Sequence, residues 1–221
     1  DIAKRYGLFV LEDSAQAIGA SLNNKPTGSL GDIGCFSLHP LKNLFVMGDG
    51  GFITLSCPWI YKKIVSLRNH GLIDRNECTT YGYNSRLDEI HCAVGLAKLQ
   101  SFDKITKRYI EIAERYKNGL NKNVNCPFDK KNEKAVYHNF VITANKRDDL
   151  KFFLEKNGIE TKIHYPILIC NQPANKINYS TSQSFPIAEK LNKTQLSLPI
   201  YPELENEKID YVIEKINQFY A

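Results

Sequence analysis

Three residues near the start of the chain have types and spacing that suit joint chemistry. Asp13 closes a short apolar run, Ser37 lies near the end of a second one, and Lys42 follows Ser37 by five residues and Asp13 by 29. A lysine amine condenses with an aldehyde and can afterwards carry a proton as base and then as acid. A carboxylate can hold a protonated ring nitrogen, and a serine hydroxyl can donate to a phosphate. Pyridoxal 5'-phosphate is a cofactor that uses all three, with its ring as the electron sink. The cluster Gly48-Asp49-Gly50-Gly51 would let backbone pass close to such a ligand. Each residue also has a plainer reading. An Asp after a strand caps a helix or shapes a turn, and a lysine in a glycine-containing loop is usually solvated. A serine on an apolar strand is commonly a satisfied core hydroxyl, and GDGG by itself marks a turn. The residue types permit the cofactor chemistry without selecting it.

The elements that must position these residues read as an α/β arrangement. In open α/β sheets ligands bind at the carboxyl ends of strands. Leu8 to Leu11 has the continuous apolar pattern of a strand buried on both faces, Ile33 to Leu38 that of a second, and Phe52 to Leu55 that of a third. Pro58 opens a helix running to about Asn69 and stopped by Gly71. Residues 72–84 read as an irregular loop, and Leu87 to Leu99 as a helix whose Ala93, Gly95 and Ala97 suit close packing. Phe102, Ile105, Tyr109, Ile112, Tyr116 and Leu120 recur at steps of three and four, the pattern of an amphipathic helix. Beyond it the spacing predicts a strand over Val136 to Thr143, a helix over Asp148 to Asn157 ended by Gly158, and a strand over Ile159 to Tyr165. A polar loop over 171–184, a helix from Pro186 and a closing helix carrying Ile209, Val212, Ile213, Ile216 and Phe219 complete a compact α+β lobe.

Composition narrows the function classes. The chain has 221 residues, 43% of them hydrophobic and 24% charged, which is the balance of a globular protein with a real core. Its net charge of +5 is spread along the chain, against a nucleic-acid stripe. No run approaches the ~18 apolar residues a membrane span needs. Its six cysteines lack CxxC spacing or a histidine partner pattern, so reduced thiols in the cytoplasm and no metal site are expected. The opening DIAKRYGLFVLED reads as the last turn of a helix entering a buried strand, with no initiating Met, so the chain is expected to lack its beginning.

Several long motifs occur in order. They are VLEDSAQAIGA, TGSLGDIGCFSLHPLKNLFVMGDGGFIT, LRNHG, GYNSRLDEIHCAVGLAKL, AVYHNFVI, KIHYPILICNQPA and FPIAEKLNKTQLSLPIYPEL. Together they resemble the DegT/DnrJ/EryC1/StrS sugar aminotransferases over essentially the whole chain. The resemblance implies the C-terminal part of a fold type I pyridoxal-phosphate-dependent aminotransferase. That comprises the remainder of the large domain, a mixed and mostly parallel sheet with its linking helix (1–115), and a small α+β domain (116–221). It implies that Lys42 is the cofactor-bound catalytic lysine, that Asp13 partners the ring nitrogen, that Gln16 lies near the phenolic oxygen and that Ser37 binds the phosphate. Asn84 matches an asparagine that reaches the phosphate in the neighbouring subunit of a homodimer. His39, Arg86, His164 and Tyr165 are implied on the substrate side, although Arg86 equally suits a loop brace and His164 a structural role.

The implied reaction moves an amino group, from a donor such as glutamate, to a keto carbon of a nucleotide-linked deoxysugar. The HPLKNLFVMGDGG version of the motif is most like that of enzymes acting on 3-keto-6-deoxyhexoses. Relatives carrying histidine at the lysine position act as dehydratases, and Lys42 argues for amino transfer. Where relatives commonly read HLQPA, this chain has CNQPA with Cys170 and Asn171, which bears on sugar specificity. The family's segment ahead of Asp13 supplies a phosphate loop, an aromatic ring on the cofactor and further strands. Without it, a rival reading is a non-catalytic fragment that serves for dimerisation or sugar binding.

Overall fold

The computed structural model describes residues 1–178 and 184–221, with the side chains of 176–178 outside the description. The chain forms two compact units, Asp1–Lys107 with Asp129–His138, and Arg108–Phe128 with Asn139–Ala221.

The first unit opens on helix α1 (Ile2–Tyr6), closed by Gly7 in the left-handed conformation, and leads into strand β1 (Leu11–Asp13). A hairpin follows, β2 (Ser21–Leu22) and β3 (Lys25–Pro26), turning on Asn23 and Asn24 at φ 51° and 62°. Asparagine tolerates this region better than most residues. Strands β4 (Ile33–Ser37) and β5 (Gly51–Leu55) complete the main sheet, ordered β1-β4-β5, with β1 parallel and β5 antiparallel to β4. The architecture is mixed α/β with a mixed sheet. Helices α2 (Pro58–Leu67), α3 (Glu89–Leu99) and α4 (Phe102–Gly119) follow, and α4 continues into the second unit. Leu38, Leu44, Val46 and Phe102 form a buried cluster against which Ile18 and Leu87 pack.

Register decides which side chains share a face. Leu11 pairs with Ile33 and Asp13 with Cys35, while Cys35 pairs with Ile53 and Ser37 with Gly51. Lateral partners point the same way and neighbours along a strand alternate. Leu11, Asp13, Ile33, Cys35, Ser37 and Ile53 therefore line one face, and Glu12, Gly34, Phe36, Phe52 and Thr54 the other. On that second face Phe36 stacks on Phe52 at 4.5 Å. Gly28 lies beneath with φ +82°, and a Cβ there would sit 2.4 Å from the Phe36 ring and 2.8 Å from Thr54 Oγ1.

The strand expected at Leu8 to Leu11 is shifted: the ladder begins at Leu11, and Leu8, Phe9 and Val10 are exposed. A doubly buried strand needs neighbours and covers, and among the described residues β1 pairs only with β4.

The second unit holds the antiparallel sheet β6 (Val124–Asn125), β8 (Phe140–Ala144) and β9 (Gln195–Leu198), in the order β6-β8-β9. Helices α5 (Arg147–Lys156) and α8 (Asn206–Phe219) bury Leu150, Leu154, Ile209, Val212 and Ile216, and Tyr116 of α4 meets Phe140 at 5.1 Å. The buried stripe of α4 is the expected one, with Tyr109, Ile112 and Tyr116 inside.

Three expectations here are corrected. Over Val136 to Thr143 only 140–144 is a strand, because Tyr137 turns the chain at φ 48°; a short strand, β7 (Glu133–Lys134), lies upstream and pairs with β2 in the first unit. Over Ile159 to Tyr165 there is only a bridge between Lys162 and Ser197, whereas the unforeseen β9 supplies the third strand. Within 171–184, a 3-10 turn over Ile169–Asn171 and helix α6 (Pro173–Asn178) replace part of the expected loop, and 179–183 lie outside the described residues. Helix α7 (Pro186–Thr194) begins at the expected proline.

Candidate active site

The parallel pair β1–β4 brings Asp13 and Ser37 to one face at one end of the main sheet. The segment carrying Lys42 leaves β4 from that same end. Asp13 is exposed, and its Oδ1 accepts the Ala15 N–H at 3.1 Å, so part of its plainer turn role is realised. Its other oxygen has no partner among the described residues. Gln16 sits in that turn, exposed, and the Ala17 N–H closes on Ser14 C=O at 3.0 Å. Ser37 Oγ accepts the His39 N–H at 3.3 Å, which leaves its hydroxyl proton available to an anion. Gly51 beside it on β5 presents no side chain.

Glu12, next to Asp13, points to the opposite face and holds the preceding loop. Its Oε2 accepts the Gly28 N–H at 2.7 Å, and Oε1 those of Leu30 at 2.5 Å and Gly31 at 2.6 Å. Burial pushes this carboxyl upward, but the Gly31, Gly28 and Leu30 N–H groups together hold it below the usual glutamate range.

The Lys42 segment is a closed loop. The Leu38 N–H donates to Gly50 C=O at 2.8 Å and the Val46 N–H to Leu38 C=O at 2.9 Å, while the Lys42 N–H closes on His39 C=O at 2.9 Å. His39 is exposed, and its Nδ1 accepts the Leu41 N–H at 3.2 Å, so only Nε2 remains for a substrate. Lys42 itself is half-buried.

Helix α3 and Leu87 just ahead of it lie along this loop. A Cβ on Gly50 would meet Leu87 at 2.8 Å, one on Gly48 would meet the His91 ring at 2.8 Å, and one on Gly95 would meet Val46 at 3.2 Å. Lys98 Nζ lies 3.8 Å from the Phe45 ring centroid. His91, Gly95 and Lys98 share one face of α3 at helical spacing and, with Leu87 ahead of the helix, meet 48, 46, 45 and 50 so that the two segments run in opposite order.

Asn43 is the polar residue that sequence reasoning passed over. It is 5% exposed; its Nδ2 donates to Val136 C=O at 2.9 Å, and its Oδ1 faces His138 Nδ1 at 3.3 Å. A signal was present, since a second polar residue follows Lys42 inside an apolar stretch, but its partners are 93 and 95 residues away in sequence.

Asn84 and Arg86 come together elsewhere in this unit. Arg86 Nε donates to Asn84 Oδ1 at 3.1 Å and Nη1 to Asn69 Oδ1 at 3.3 Å, so Arg86 braces its loop. Asn84 is exposed and bridges Asn69. With its oxygen engaged, its NH₂ is the group left to reach an anion.

His164 and Tyr165 lie in the second unit. His164 Nδ1 meets the buried Ser197 Oγ at 2.8 Å, and Asn192 Nδ2 donates to Tyr165 C=O at 2.6 Å. Cys170 and Asn171 sit in the 3-10 turn, where the Asn175 amide donates to Cys170 C=O at 3.1 Å. Among the described residues the six cysteines are free thiols, no group of three or more His, Cys, Asp or Glu gathers as a metal set, and no helix is long and apolar enough to cross a membrane.

Comparison with known proteins adds an independent line. The model of the DegT/DnrJ/EryC1/StrS aminotransferase family matches residues 1–217. A pleiotropic regulatory protein of Geobacillus stearothermophilus is 40% identical, covering 99% of this chain and 60% of its own. A dTDP-3-amino-3,6-dideoxy-alpha-D-galactopyranose transaminase of Aneurinibacillus thermoaerophilus is 39% identical, with 99% and 60% covered. The crystal structure of a DegT DnrJ EryC1 StrS aminotransferase from Brucella abortus superposes with a TM-score of 0.94 at 33% identity, over 100% of this chain and 59% of that one. The chain thus spans about 60% of the length of the relatives it matches.

Proposed function

The chain belongs to the DegT/DnrJ/EryC1/StrS aminotransferase family, and on that premise we propose that it carries the catalytic lysine of a pyridoxal-phosphate-dependent sugar aminotransferase. The reaction is transfer of an amino group from glutamate to the keto carbon of a nucleotide-linked deoxysugar, a 3-keto-6-deoxyhexose. The observation that carries the reading is the placement of Asp13 and Ser37 on one face at the strand end from which the Lys42 loop departs. The name of the Aneurinibacillus relative supports a 3-amino-6-deoxyhexose product.

The donor set fits the cofactor. An amine, an acceptor oxygen on Asp13 and a donating hydroxyl on Ser37 are the three groups such a ligand requires, and Gly51 leaves room beside Ser37. When bound, pyridoxal phosphate supplies an aldehyde for amines and a ring that accepts electrons from the carbon losing its proton. Asp13 would keep the ring nitrogen protonated, Ser37 would donate to the phosphate, and Gln16 would serve the phenolic oxygen. With the cofactor bound, Lys42 Nζ would take the proton from the carbon bearing the donor's amino group, as base, and return it, as acid, to the cofactor carbon on the far side of that nitrogen. With the ketosugar the proton would travel in the opposite direction, and Lys42 Nζ would again act first as base, on the cofactor carbon, and then as acid, on the sugar carbon that receives the amine. In a homodimer, the Asn84 amide would donate to the phosphate of the partner's site. His39, Arg86, His164 and Tyr165 serve the substrate side, Arg86 through the bracing of Asn84 as well. Free thiols fit a cytoplasmic enzyme.

The test is spectroscopic. Adding glutamate to the protein with pyridoxal phosphate should replace the absorption band of the lysine-bound cofactor by that of its amine form, and a 3-keto nucleotide sugar should restore it. No change with any amino donor, but release of water from a deoxysugar, would indicate a dehydratase. Neither response would indicate a non-catalytic fragment.

A further inference from the structure

We propose that Asn43 and His138 form a clasp that sets the position of Lys42, an inference that rests on the role given to Lys42 above. The backbone bonds that shape the 38–50 loop are local: His39 to Lys42, Leu38 to Val46 and Gly50. Asn43, the next residue after Lys42, instead anchors it to a distant segment. Its amide is buried, which is unfavourable unless its polar atoms are satisfied. Nδ2 is satisfied by Val136 C=O and Oδ1 by His138.

The clasp has a defined polarity. An amide oxygen only accepts, so the His138 nitrogen facing it, Nδ1, carries the proton. That bond fixes which way the Asn43 amide points and so directs Nδ2 at Val136. The far side of the clasp is itself held. Val136 and Tyr137 are buried, Tyr137 adopts φ 48°, and its hydroxyl donates to Asp129. Glu133–Lys134 adds to the β2–β3 hairpin, and the Asn23 N–H donates to Asn132 C=O at 2.8 Å. The 129–138 segment is therefore a strap fixed near its middle by β2 and at its end by Asn43. The same strap continues into β8 of the second unit. Asn43 and His138 are positioning residues: they act through Lys42 and through the backbone that presents its amine.

Competitive acetylation of the cofactor-free protein with a trace of acetic anhydride, read by mass spectrometry, measures the reactivity of Lys42 against the exposed Lys63 and Lys104. Asn43→Asp removes the donor to Val136. His138→Phe removes the donor to Asn43 at a half-buried position that tolerates the change if Asn43→Asp does not fold. His138→Asn restores an N–H near the place of Nδ1. The clasp predicts that Lys42 reactivity relative to Lys63 and Lys104 rises about three- to tenfold in the first two variants, the factor one hydrogen bond commonly supplies, and returns with His138→Asn. An unchanged ratio in folded variants overturns the proposal, and so does an equal rise at all three lysines, which marks general loosening. Because no cofactor is present, this readout is independent of the proposed reaction. Failure of wild-type Lys42 to be trapped with pyridoxal phosphate would refute the cofactor role alone.

Discussion

Replacing Glu12 with glutamine tests how the sheet holds the residue that follows it. One carboxylate accepts three backbone N–H groups, from Gly28, Leu30 and Gly31, at 2.5–2.7 Å. In Glu12→Gln the new NH₂ must face at least one of these donors. The less costly orientation sets it against Gly28, losing one charge-assisted bond and turning two others into neutral ones. A charge-assisted bond contributes about 1.5–3 kcal/mol and a neutral one about 0.5–1.5. Partial solvation of this half-buried carboxylate reduces the sum to roughly 2–3 kcal/mol. At ~2–4 °C per kcal/mol for a chain of this size, melting should fall by about 5–10 °C near neutral pH. The folded carboxyl titrates below its unfolded value. Its contribution is therefore complete above the unfolded pKa and lost as pH falls through the folded one. Thermal melting by circular dichroism across pH should show the gap between wild type and Glu12→Gln closing in acid, below the ordinary glutamate range. A gap under ~2 °C near neutrality, on the same scale, or one that persists unchanged in acid, would mean that the Glu12 carboxylate does not hold the 28–31 loop through these bonds.

Two further outcomes follow from the packing. Gly28→Ala adds a Cβ 2.4 Å from Phe36 at φ +82°, so left-handed strain and overpacking together should cost roughly 2–5 kcal/mol in urea denaturation; a loss under ~1 kcal/mol would contradict the packing. Ser197→Ala removes the partner of His164 Nδ1 and should cost about 1 kcal/mol of stability; under the proposed function it should also raise KM for the sugar more than for the amino donor. Equal effects on both would refute the sugar-side role proposed for His164.

Legibility differed by element for physical reasons. The stripe from Phe102 to Tyr116 and the one from Ile209 to Ile216 announced α4 and α8, because a helix buries its own periodicity. Strands are settled by partners. Ile159 to Tyr165 has strand composition yet makes one bridge, while Gln195–Leu198 follows α7 without a turn signal and becomes the third strand. Val136 and Tyr137, apolar and β-prone, are buried instead in the strap that clasps Asn43. The placement of Asp13 and Ser37 at the sheet end from which the Lys42 loop departs was legible, because a strand–loop–strand unit keeps these residues close in sequence. Asn43 and His138 were not, since nothing local relates residues 95 apart. The α3 contacts were half visible: the small residue Gly95 signalled close packing, but not that its neighbour would be the lysine loop.

The proposed function rests on the amine of Lys42 as the group that binds the cofactor. Incubation with pyridoxal phosphate, reduction with borohydride and peptide mass spectrometry test it directly. A phosphopyridoxyl group should appear on Lys42, be lost in Lys42→Ala and be weakened in Asp13→Ala. Label spread over exposed lysines such as Lys63 and Lys104, with none enriched at Lys42, would contradict it.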